Sequence, residues 1–187
     1  MQDLSLHILD ITENALSAGA TTVKISLSVD TDSDSMILSI SDNGTGMDEG
    51  TVNSVLSPFT TTRTTRNVGL GLPMLAQSAE ATGGKLEIDS VEGKGTSVKA
   101  DFNMSHIDLI PIGDLKETLM TLIIGNCETE FIFQYTKNGK SYCLDTRVFR
   151  EKFSFKQFYT PEMMRALRNE ITEGINSNQA ERRFVNS

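Results

Sequence analysis

The stretch ISDNGTGM, residues 40–47, ends the alternating run MILSIS (36–41) on an acid, an amide and two spaced glycines. An ionised aspartate only accepts hydrogen bonds, so Asp42 suits a donor such as an exocyclic amino group. Gly44 and Gly46 remove side chains where the backbone turns and a flat ligand comes close. The alternative is a plain Asp-Asn-Gly turn of a hairpin, although no matching strand resumes at once after it.

Upstream, TTVKISLSV (21–29) places Val23, Ile25, Leu27 and Val29 on one face of a strand, and DTDSDS (30–35) turns the chain into the next one. Before it, residues 3–18 read as a helix with Ile8, Ile11, Ala15 and Leu16 at helical spacing and Gly19 as its stop. His7, Asp10, Asn14 and Ser17 share a polar stripe on this helix. Such a stripe is either the wet side of the helix or the side facing a site, and the residues alone leave both open.

Downstream, Asp48 caps a short helix, and SPFTTTRTTRNV (57–68) is a polar loop with two arginines and no acid. GLGLPMLAQSAEATGG (69–84) begins a helix with Pro73 in its first turn and Gly83 or Gly84 at its end. A glycine helix start offers free N–H groups and the positive end of the dipole to an anion, and Arg63 and Arg66 just upstream can fork onto phosphate oxygens. The pattern is neither a Walker P-loop nor a Rossmann glycine motif. Its alternative is a flexible connection followed by close helix packing.

KLEIDSV (85–91) and TSVKADF (96–102) form a hairpin around EGKG. The order α, β, β, short α, loop, α, β, β predicts an α+β chain: a two-layer sandwich with a mixed sheet and helices on one face. A seam at NMSHIDLIPI (103–112) divides residues 1–104 from 105–187, the second part being expected as a small α+β appendage. There, Asp114 caps a helix, Asn138-Gly139 suits a tight primed turn, and Thr160-Pro161 opens a helix with Met164, Leu167 and Ile171 on one face. That stripe is either core or a candidate docking or homodimer surface.

The full chain has 187 residues and a net charge of −8, which disfavours broad contact with nucleic acid or an anionic membrane. Cys127 and Cys143, the only cysteines, form no metal or redox motif and read as free thiols of a reducing compartment. With no signal-like N-terminus and no apolar run of spanning length, the expected location is the cytoplasm, with no membrane partner.

Taken together, DITENALSAGATTVKISL (10–27), ISDNGTGM, PFTTTRTTRNVGLGL (58–72) and GGKLEIDSVEGKGTSVKADF (83–102) resemble the GHKL, or Bergerat-fold, ATP-binding superfamily. The first two are similar to the opening of MutL ATPase domains, the last two to sensor histidine kinases. The resemblance implies ATP and Mg²⁺ as cofactors. Asn14 would coordinate the metal, Asp42 would accept from the adenine amino group, and Gly44, Gly46 and Met47 would surround the base. Thr96 would help hold water beside the adenine. Gly69 and Gly71, with Leu70 and Leu72, would present backbone amides to the phosphates, and Arg63 or Arg66 would touch the terminal phosphate.

Two departures matter. The superfamily's ATPases usually carry glutamate four residues before the metal-binding asparagine, and this chain has Asp10. The shorter acid implies slow hydrolysis or help from a partner, with Glu13 the weaker candidate base. Only six residues precede His7, so the phosphoacceptor hairpin of a histidine kinase is not expected ahead of the site helix. The resemblance therefore implies a regulatory protein kinase acting on a separate phosphoacceptor protein, like the anti-sigma-factor kinases. The alternatives are an ATP-gated switch with slow ATPase activity and a non-catalytic ATP or ADP sensor.

Overall fold

The computed structural model describes residues 3–55, 70–152 and 160–176. Helix α1 (Leu4–Ser17) starts at Asp3, whose carboxylate accepts from Leu6 N–H at 3.0 Å, and it stops before Gly19, at φ +76°. Its buried side is Leu4, Ile8, Ile11 and Ala15, with Leu16 of the expected stripe only partly buried against the core.

Strands β1 (Thr22–Asp30) and β2 (Ser35–Asp42) form an antiparallel hairpin in which Val23 stands opposite Asp42. After α2 (Glu49–Val55) and α3 (Gly71–Ala81), β3 (Lys85–Val91) and β4 (Gly95–Asn103) make a second hairpin, and β4 joins it to β2. Asp48 caps α2 by accepting from Thr51 N–H at 2.9 Å. The loop expected at 57–68 lies outside the described residues.

Then α4 (Leu115–Gly125), β5 (Glu130–Lys137), β6 (Lys140–Asp145), α5 (Thr146–Lys152) and α6 (Pro161–Asn176) follow. Asp114 caps α4 through Glu117 N–H at 3.0 Å. Asn138 and Gly139 both take positive φ, which gives the tight turn its primed geometry. The short helix α5 has no counterpart in the sequence reading. Its first residue, Thr146, is buried and accepts from Phe131 N–H at 2.8 Å, a tertiary contact that local pattern does not encode.

The strands make one mixed six-stranded sheet in the order β3-β4-β2-β1-β5-β6, with β1 and β5 parallel. The C-terminal hairpin therefore continues the sheet of the N-terminal part. The reason is physical: β1 has two edges, β2 satisfies one, and eight residues of β5 satisfy the other. Only one face of the sheet is core. Val23, Ile25, Leu27, Met36, Leu38, Ile40, Val98, Ala100, Phe102, Phe131 and Phe133 are buried there beneath the helices, in one cluster with residues of α1, α3, α4 and α6. The opposite face carries partly exposed Ser26, Ser28, Ser39 and Ser41.

Helix α6 corrects one expectation. Its core side is Met163, Leu167, Ile171 and Gly174, while Met164 is exposed. Leu167 and Ile171 thus lie on the apolar side as expected, Met163 takes the place of Met164, and Gly174 lies too close to the Tyr142 ring to carry a Cβ. Leu167 and Ile171 belong to the core and are not available as a docking or dimer surface.

Candidate functional site

The acid-glycine corner is held by its own backbone and by the end of α1. Asp42 Oδ1 accepts from Gly44 N–H at 2.8 Å, and Asn43 Oδ1 accepts from the N–H groups of Thr21 and Thr22 at 2.9 Å each. Thr45 N–H then donates to Ala18 O at 3.0 Å, where the helix ends. Gly46 has φ +63°, and a Cβ there would fall 2.1 Å from Val91 O, so glycine is required twice over. Gly95 fits equally tightly against the backbone carbonyl of Asp42.

Burial pushes the Asp42 carboxyl above its usual range, against the pull of the Gly44 and Thr96 backbone N–H groups. Its charge is thus under-solvated and short of donors. The Thr96 hydroxyl is 2.9 Å from Ser90 Oγ, which in turn accepts from Met47 N–H at 2.8 Å. Met47 packs partly buried on the core. Ser90 and Asn43 were missed as site-shaping residues. Ser90 is recognisable only from the register that pairs it with Thr96, and Asn43 from its place in the turn.

The polar stripe of α1 splits by depth. His7 is wholly buried, Asp10 and Asn14 are half-buried, and Ser17 and Glu13 are exposed. Asp10 Oδ2 and Asn14 Nδ2 are buried atoms without a hydrogen-bond partner, one helical turn apart. A carboxylate oxygen and an amide donor left unpaired side by side suit a ligand that brings both acceptors and donors: phosphate oxygens for the amide, metal-bound or attacking water for the carboxylate. The residues present therefore fit Mg²⁺ and a polyphosphate. The stripe is buried or half-buried as far as Asn14 and exposed at Ser17.

Helix α3 begins against this stripe. Gly71 is buried, and a Cβ on it would lie 1.8 Å from Asp10 Oδ2. Leu70 is exposed and makes no side-chain cap, and Leu72 is buried. Gly69, Arg63 and Arg66 lie outside the described residues.

Helix α1 thus touches both halves of the arrangement. Its end, at Ala18, carries the corner with Asp42, and its middle, at Asp10, carries the start of α3. Eight residues separate these contacts, about 12 Å along the helix axis. That span suits a base at one end and a charged tail at the other.

Known proteins place the chain. The family model described as "Histidine kinase-, DNA gyrase B-, and HSP90-like ATPase" matches residues 2–106. The sensor protein kinase FleS of Pseudomonas aeruginosa is 39% identical over 110 residues, covering 59% of this chain and 27% of that protein. A "Putative sensor protein" of Shewanella frigidimarina is 34% identical over 110 residues, covering 57% of this chain and 17% of that protein. The chain thus spans well under a third of the length of either. A solved N-terminal domain of a DNA repair protein matches with a TM-score of 0.52 at 16% identity, over 78% of this chain and 53% of that one, a likeness of fold. With the matched region spanning α1 through β4 and all the glycine-lined corners just described, the chain belongs to the histidine kinase-, DNA gyrase B- and HSP90-like ATPase family.

Proposed function

We propose that this protein binds Mg-ATP between α1, the 42–47 corner and the start of α3, and acts in the cytoplasm as a regulatory kinase on a separate protein. The observation that carries the reading is the pair of buried atoms without a hydrogen-bond partner among the described residues, Asp10 Oδ2 and Asn14 Nδ2, the first of them against the glycine start of α3. Asp42 accepts from the adenine amino group, which supplies the donor that its desolvated carboxylate lacks. Gly44 and Gly46 let the corner close on Ala18 and on Val91, with Met47 packed beside the ring and Thr96 and Ser90 framing its edge. Gly71 and Leu72 present α3's first N–H groups to phosphate oxygens, and Gly69 and Leu70 are assigned to the same seat from their place in the chain.

Asn14 holds Mg²⁺ through its amide oxygen, and the ion neutralises phosphate charge when bound. Asp10 is the general base that takes the proton of the attacking hydroxyl. Arg63 and Arg66 are assigned to the terminal phosphate from their place in the chain. His7 is too deeply buried to be a phosphoacceptor, which supports transfer to a hydroxyl or imidazole of another protein.

A second reading has its own observation. Asp10 rests against Gly71, so its short side chain is committed to the helix contact as well as to chemistry. That favours slow turnover and an ATP-gated switch. Incubation of the protein with γ-labelled ATP and Mg²⁺, with and without cell extract, separates the two. Label on another protein supports the kinase, and free phosphate supports the switch. Calorimetry without Mg-dependent heat in the wild type, or with unchanged heat in Asn14→Ala and Asp42→Asn, overturns the site itself.

A further inference from the structure

Alternation puts Ser90 of β3, Thr96 of β4 and Asp42 of β2 on the helix-facing side of the sheet, one pleat beyond the apolar row Ile88, Val98 and Ile40. Ser90 stands opposite Thr96, and one step on from the Ser41–Ser97 pair Thr96 comes beside Asp42. Gly95 backs onto the Asp42 carbonyl, where a Cβ would fall 2.0 Å away. Three contacts meet at the Ser90 hydroxyl: Met47 N–H at 2.8 Å, Gly95 O at 3.1 Å and Thr96 Oγ1 at 2.9 Å. An amide N–H only donates and a carbonyl only accepts, while a serine hydroxyl has one proton and two lone pairs. All three contacts are hydrogen bonds in one arrangement alone: Ser90 gives its proton to Gly95 O and receives one from Thr96. The Thr96 oxygen is then left with lone pairs only, beside a carboxylate that also only accepts.

We infer that Ser90 is a positioning residue for base selectivity: by taking the Thr96 proton it keeps the side chains of Asp42 and Thr96 as acceptors, so that a purine with an amino group at C6 is admitted and one with an oxo group is refused. The inference rests on the nucleotide reading above. An amino group brings protons that such a rim accepts. An oxo group brings only lone pairs and meets two acceptors without a donor, a mismatch that a half-buried site penalises. Without the Ser90 hydroxyl, Thr96 keeps its oxygen but its proton is released to turn toward the base. The rim then acquires a donor that an oxo group can use. Ser90 acts through Thr96 and makes no contact with the base that the effect requires.

Calorimetry of the full chain with Mg-ATP and with Mg-ITP, whose base carries an oxo group at C6, reads the ratio of the two affinities. The wild type is expected to prefer ATP about a hundredfold or more. In Ser90→Ala that preference shrinks about fivefold or more, whereas Ser90→Thr, which keeps a hydroxyl, stays within about twofold of wild type. Ser90→Cys, whose thiol is a weak acceptor, shrinks it in the same direction and carries the test should the alanine variant not fold. On a Thr96→Val background, which has no proton to release, the same Ser90 substitutions leave the ratio unchanged. A purely structural role would weaken both nucleotides alike. The inference is therefore overturned by an unchanged ratio in Ser90→Ala or Ser90→Cys, by an equal shrinkage with and without Thr96→Val, or by a Ser90→Thr that loses the preference as Ser90→Ala does. Absence of Mg-ATP heat in the wild type, or equal affinity for Mg-ITP, would instead sink the nucleotide reading, and the inference with it.

Discussion

At position 10 the carboxylate already touches the backbone of α3, since a Cβ on Gly71 would lie 1.8 Å from Oδ2. One more methylene has nowhere to go unless α3 moves. Asp10→Glu, which restores the residue usual in related ATPases, is therefore expected to slow turnover about tenfold, and a faster variant would show that α3 yields. Asp42 has the opposite relation to stability and function. Its folded-state pKa is raised, so ionisation costs the fold stability above the unfolded value of 3.8. Asp42→Asn keeps an oxygen for Gly44 N–H and removes that cost. It should melt no lower than wild type yet bind Mg-ATP at least about tenfold more weakly, because the amide can turn a donor toward the adenine amino group. His7 has a folded pKa below its ordinary value of 6.5, so the unfolded chain binds more protons between the two. Stability rises with pH across that window and is lost as pH falls below about 6.5. Melting temperature should thus drop from about pH 7 to pH 5, and the slope should flatten in His7→Gln, the check being a thermal scan at each pH.

Among the elements, the β2–α2 corner and the β3–β4 turn bonded to it depend on glycine in different ways. Gly46 combines φ +63° with a Cβ position 2.1 Å from Val91 O, whereas Gly93 has φ +76° with open space around it. Gly93→Ala should cost only conformational strain, about 1 kcal/mol, and leave Mg-ATP affinity unchanged. Gly46→Ala should cost more than about 2 kcal/mol and abolish measurable nucleotide binding, because β3 must give way. Equal effects in chemical denaturation would contradict this account of the corner. Helix α6 offers a test of burial: Leu167 is 1% exposed, and Leu167→Ala should cost about 2–5 kcal/mol. A solvent-facing stripe, as Met164 alone would suggest, predicts almost no change.

For the whole molecule, the continuous sheet and the shared core imply that residues before and after the seam unfold together. A single calorimetric transition is expected for the full chain, and two separate ones would show independent units. Alternation at 23–29, caps at Asp48 and Asp114, and the Asn138-Gly139 turn were legible because each depends on neighbours in the chain. So were the ingredients of the candidate site, since an acid-glycine corner and a glycine helix start are local patterns that leave a local trace. Other features were invisible for the opposite reason. The addition of β5 to the free edge of β1, the Thr146 bond that starts α5, the packing of Gly174 on Tyr142 and the approach of Gly71 to Asp10 all join residues far apart in the chain. Periodicity and composition specify what each segment can form and which side of it is apolar. Which edge finds which partner, and how much room a carboxylate has, depends on backbone hydrogen bonds and close packing that exist only once the segments meet.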